Sequence, residues 1–151
     1  MTVLHYRLLT AAVAAGNVVA LIFAWSHIDD LRQWHKDTEP LDPLIGDMRK
    51  TVAIQAYALM LGASVMSIIG VLALGLTTFA LSSGFSKVGG VVGFFASIWW
   101  LAAAIHAADK FSDSDWGTEP TDVDSFNSSI ANMFMALLMS LTGGFVYKSV
   151  V

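Results

Sequence analysis

Apolar residues do not alternate with polar ones along this chain; they gather into four long blocks at residues 3–26, 51–81, 88–108 and 126–147, none of which contains an Asp or Glu. An α-helix rises about 1.5 Å per residue, so about 20 apolar residues cross the ~30 Å hydrocarbon core of a bilayer with their peptide groups bonded inside the helix. Each block is long enough. The pattern therefore predicts an all-α fold, an integral membrane four-helix bundle occupying residues 1–151 as a single domain. The second block is longer than one crossing needs, so its helix should tilt or project beyond the headgroups. The connections are then two outer loops, 27–50 and 109–125, and an inner loop, 82–87, with Pro40, Pro43 and Pro120 all in the outer pair. The Gly/Ser-rich inner loop is short enough to make the second and third helices antiparallel neighbours.

Composition strengthens this reading. The chain is 56% hydrophobic and 13% charged, more apolar surface than a soluble domain of 151 residues could hide. Its formal charge of -4 is segregated: six of the twelve acids lie in each outer loop. That arrangement does not fit a nucleic-acid partner; membrane lipids, further copies of the chain or other membrane subunits are the expected partners. The first block is too long for the apolar region of a cleavable signal and reads as a span. Without cysteine there is no disulfide, thiolate metal site or catalytic thiol. Tyr6, Trp25 and Tyr147 fall near span ends, where amphipathic rings favour the headgroup layer, whereas Trp99 and Trp100 lie deeper, as packing or lipid contacts.

Two indicators of orientation disagree. The face with both termini carries Arg7, Lys87 and Lys148 and no acid, but the opposite face has more basic residues: Arg32, Lys36, Arg49, Lys50 and Lys110. The positive-inside rule counts Lys and Arg rather than net charge. The basic short loop and the long acidic loops favour a multi-pass protein with both termini cytoplasmic; nothing in the sequence says in which membrane.

The outer loops share a pattern, Thr38-Glu39-Pro40-Leu41-Asp42 and Thr118-Glu119-Pro120-Thr121-Asp122, each preceded by a tryptophan, Trp34 or Trp116. Upstream, His27-Ile28-Asp29-Asp30 and His106-Ala107-Ala108-Asp109 both read HxxD. Tandem duplication of a helical hairpin explains both matches, with the copies related by an axis along the membrane normal; coincidence in so short a match is the alternative. Residues at i and i+3 share a helix face, so His27, Asp30, His106 and Asp109 could offer two nitrogens and two oxygens to Zn²⁺. The competing reading leaves these groups solvated at two span ends.

Helices in lipid associate through small residues and interhelical hydrogen bonds. Ala12, Gly16, Ala20 and Ala24 recur every fourth residue; so do Gly89, Gly93 and Ser97, and Ser128, Asn132, Ala136, Ser140 and Gly144. These stripes predict close packing within the chain or between copies, with Gly16, Gly89, Gly93, Ser140, Gly144, Trp34 and Trp116 as the packing or assembly positions. Asn17 and Gln55 are the notable intramembrane amides, each expected to bond to a neighbouring helix. No carboxylate pair, Ser/His/Asp set or phosphate loop stands out, so the sequence predicts no enzyme, no catalytic residue and no cofactor.

The segment Phe94-Phe95-Ala96-Ser97-Ile98-Trp99-Trp100-Leu101-Ala102-Ala103-Ala104, an aromatic group followed by small residues, and the basic entry Tyr6-Arg7-Leu8-Leu9 resemble MARVEL-type four-helix membrane proteins and the related Casparian-strip membrane proteins. The layout of short termini, small inner loop and two outer loops is similar too. The acidic residue of the Casparian-strip third helix and the outer-loop cysteines of animal members are missing here, and no functional residue is carried over. The resemblance implies a non-enzymatic protein that organises membrane by lateral homo-oligomeric assembly. The alternatives are a small accessory subunit of a larger membrane complex and a channel or small-solute carrier, for which Asn17 and Gln55 would have to face one aqueous path.

Overall fold

The computed structural model describes residues 2–26, 43–110 and 122–150, and their side chains at 2–26, 50–109 and 125–150. Helix α1 spans Val3–Trp25, α2 Pro43–Phe79, α3 Ser83–Lys110 and α4 Asp122–Leu141; a π-helical turn at Thr142–Val146 joins α4 to a last turn, α5, Tyr147–Val150. The described residues contain no strand. All four long helices are long and apolar enough to cross a membrane.

Local signals fix the ends. Thr2 caps α1, its Oγ1 accepting from the backbone N–H of His5 at 3.2 Å, which satisfies one of the amides a helix start leaves open. Ser82 does the same for α3, accepting from the N–H of Phe85 at 3.4 Å. The expected inner loop 82–87 is thereby corrected: α3 takes most of it, leaving residues 80–82 as the turn. Its serines and glycine act as a helix start. Likewise α2 begins at Pro43, inside the stretch expected to be outer loop, because proline is well suited to a first helical turn that needs no amide donor. At 37 residues α2 is about 55 Å long, well over the bilayer core.

Around the bundle the order is α1, α2, α3, α4 and back to α1, each helix packing on its sequence neighbours, with α3 and α4 the most extensive pair. The interior is small and polar. Alanines 24, 63, 96, 103 and 136 surround Trp100 in one cluster, and Val13 and Ala14 meet Leu74 and Met139 in a second. Asn17, Asn132, Thr10, Ser64, Ser67, Ser86 and Thr142 are also buried. Large apolar side chains face outward instead, among them Leu8, Ile22, Leu72, Phe94 and Phe134. Water would oppose that inversion, whereas hydrocarbon is indifferent to exposed Leu and Phe and penalises an exposed amide.

Candidate functional site

Interhelical hydrogen bonds lie in tiers along the bundle, and the middle tier has a reciprocal geometry. Asn17 of α1 donates through Nδ2 to the carbonyl of Val13 on its own helix at 2.8 Å and to that of Met135 on α4 at 3.1 Å. Asn132 of α4 donates to Ser128 on its own helix at 2.8 Å and to Ala20 of α1 at 2.8 Å. Each amide thus binds the carbonyl four residues before it and the carbonyl three residues beyond its counterpart. Both side chains are 1% exposed. Gly16 leaves space that the end of the Met135 side chain fills.

Nearer the termini, the Tyr6 hydroxyl shares a hydrogen bond with Ser86 Oγ at 3.1 Å and donates to the Thr142 carbonyl at 3.3 Å. That carbonyl opens the π-helical turn, where it also accepts from the Tyr147 N–H five residues on, so Tyr6 is its second donor. Tyr6 is fully buried, so the expectation of a headgroup-layer ring is corrected: its hydroxyl reaches the interior of the bundle. Its ring lies 5.7 Å from that of Tyr147. Thr10 and Thr78 link α1 to α2 at the next level, hydroxyl to hydroxyl, at 2.8 Å.

Two indoles serve the other half. Trp25 Nε1 donates to Ser64 Oγ at 2.9 Å and Trp100 Nε1 to Ser67 Oγ at 3.0 Å, so α1 and α3 are both tied to one turn of α2. Trp100 is fully buried, while Trp99 is half-exposed over Gly62, where a Cβ would meet its ring.

The α3–α4 seam closes backbone to backbone. A Cβ on Gly93 would lie 2.8 Å from Ser140 N and 2.9 Å from the Ala136 carbonyl; one on Gly143 would lie 2.6 Å from Gly90 N. Gly93 and Ser140 thus pack within the chain. Gly89 instead turns toward Leu74 of α2, and a Cβ on Gly144 would meet nothing within 4 Å. Trp34 and Trp116 lie outside the described residues.

No family model, curated protein or solved structure matches the chain. Function has to be argued from geometry alone. Of the four candidate zinc ligands, His27 and Asp30 lie outside the described residues. His106 stands opposite Gln55, with Nε2 and Oε1 3.1 Å apart, and Asp109 is exposed near the end of α3. Among the described residues no three His, Asp or Glu side chains gather as a metal site. Gln55 and Asn17 both make the interhelical bonds expected of them, but in different seams, α2–α3 and α1–α4.

Sequence reasoning singled out Asn17 and missed that Asn132 is its counterpart, although Asn132 sits in a small-residue stripe one turn after Ser128. It also missed Gly90 and Gly143. The Gly143-Gly144 pair was the available signal for a close approach.

Proposed function

We propose that this chain is a multi-pass membrane protein that organises membrane by lateral assembly with copies of itself, without catalysing a reaction. The observation that carries the reading is the inverted distribution of side chains. Asn17, Asn132, Ser64, Ser67 and the Tyr6–Ser86–Thr142 set are engaged in helix–helix hydrogen bonds, whereas large apolar residues cover the outward faces. A bundle so arranged holds its shape internally and meets its surroundings through surfaces suited to lipid or to another apolar helix. One such surface is a groove of about 440 Å³ between α2 and α3, lined by Leu59, Met66, Phe95, Ile98, Trp99 and Ala102. Side chains of a second copy can enter it.

The channel reading has less support, because Asn17 is buried against two carbonyls and Gln55 bonds in a different seam. Mass measurement of the particle extracted in mild detergent tests the proposal. Several copies of this chain alone support it; a monomer overturns the assembly, and stoichiometric foreign chains favour an accessory subunit.

A further inference from the structure

A second outward groove, of about 320 Å³, runs between α1 and α2, lined by Ala14, Val18, Leu72, Gly75, Leu76 and Phe79 among others. Gly75 leaves room in it, since a Cβ there would meet nothing within 4 Å, and Phe79, 81% exposed, flanks the end nearer the termini. From Val71 to Phe79 the groove follows about 12 Å of helix, close to the ~15 Å acyl depth of one leaflet. The Thr10–Thr78 hydrogen bond sets the level of its mouth.

Arg7 lies less than one turn beyond Thr10 on α1. Positions 7, 14, 18 and 25 share the side of α1 that faces α2, as the groove residues Ala14 and Val18 and the Trp25–Ser64 bond establish. Arg7 buries its Nε, and among the described residues that atom has no hydrogen-bond partner. Nε is enclosed by the chain itself, but Arg7 as a whole is partly exposed, and the arginine fork suits phosphate. The surrounding face offers no carboxylate side chain as a competitor: residues 1–26, 80–90 and 140–151 contain Arg7, Lys87 and Lys148 and no Asp or Glu.

We infer that this groove and Arg7 form a binding site for one anionic phospholipid of the leaflet that meets the termini, with an acyl chain along Gly75 and the phosphate on Arg7. The inference rests on membrane embedding, not on self-assembly. It concerns a groove other than the one offered to a second copy.

The test is native mass spectrometry of the full chain in detergent, titrated with phosphatidylglycerol or with a diacylglycerol of equal acyl length, which lacks the phosphate. The wild type should retain phosphatidylglycerol about tenfold better, the scale expected of one charge-assisted contact. Arg7→Gln should bring the two lipids near parity, while Lys148→Gln, which removes an exposed charge from the same face, keeps most of the preference. Gly75→Leu, which fills the groove without touching the headgroup end, should lower retention of both lipids. Parity in the wild type, equal loss in Arg7→Gln and Lys148→Gln, or undiminished retention by Gly75→Leu would each overturn the site. Should Arg7→Gln fail to fold, the wild-type preference and Gly75→Leu still decide. A chain that stays folded and monomeric in buffer without detergent would remove the membrane reading itself, an outcome distinct from any of these.

Discussion

The seams that α4 makes with α1 and α3 differ in kind from the flanks of α2. Along α4 the helices meet through glycine backbone and paired asparagines. Along α2 the contacts are side chain to side chain, indole to serine and threonine to threonine, and an outward groove lies on either side. In lipid, where no hydrophobic drive pulls helices together, closeness of approach and interhelical hydrogen bonds decide which seams are rigid. The α4 seams are therefore the fixed frame. The α2 flanks are where the proposed lipid and the proposed second copy would sit.

The largest expected effect comes from filling a fixed seam. In Gly143→Val the new side chain would collide with Ser86 and Gly90 backbone atoms, which cannot move aside as a flexible side chain would. Overpacking of this kind costs about 3 kcal/mol or more, and thermal unfolding in detergent followed by circular dichroism should show a large fall in midpoint or no folded population. A wild-type midpoint would mean that α3 and α4 do not approach as closely as described.

Next in size is Tyr6→Phe, which strips the hydroxyl from both Ser86 and the π-turn carbonyl of Thr142. The Thr142 carbonyl keeps the Tyr147 N–H, but the buried Ser86 hydroxyl loses this partner, which costs about 1–3 kcal/mol, so the same melt should show a clear but smaller loss. Hydrogen exchange should rise first around residues 142–146. Uniform exchange along α4 would break the link between Tyr6 and the turn.

Asn17→Leu and Asn132→Leu each remove one interhelical donor bond, worth about 0.6 kcal/mol on average in membrane proteins and up to about 1.7 kcal/mol. The two bonds are reciprocal but go to different carbonyls, so their effects should add in the double variant apart from the coupling of two neighbours in one seam. If either single substitution costs as much as the pair, the two asparagines act as one unit.

Much of this frame could be read from the chain. Four apolar blocks of membrane length, none with an Asp or Glu, required four helices, and Asn17 stood out as an amide with no water to bond. Which glycine faces which helix was not legible, because a four-residue stripe fixes a helix face but not its neighbour. Gly89 and Gly93 belong to one stripe, yet the structure turns Gly89 to Leu74 and Gly93 to Ser140. Tyr6 was misread because its position near a span end resembles an interfacial anchor, and only the tertiary fold brings Ser86 and Thr142 to its hydroxyl. The serines that receive Trp25 and Trp100 carried no signal of their own, since a lone serine in an apolar helix can bond its own backbone equally well.

The smallest expected effect has the opposite sign and isolates the contrast between the two regions. Gly75→Ala places a methyl group where α2 borders open space, so it adds no collision and removes the backbone freedom that glycine gives the unfolded chain. The gain should be about 0.5 kcal/mol, within the range for glycine-to-alanine changes at compatible helix positions. The same change at Gly93, against Ser140 N and the Ala136 carbonyl, should be destabilising. Measured side by side in lipid-free detergent, the two substitutions are chemically identical and differ only in which side of the bundle they occupy. A stabilising Gly93→Ala would show that the α3–α4 seam yields as readily as the flank of α2, and the distinction between a rigid frame and a receptive surface would be lost.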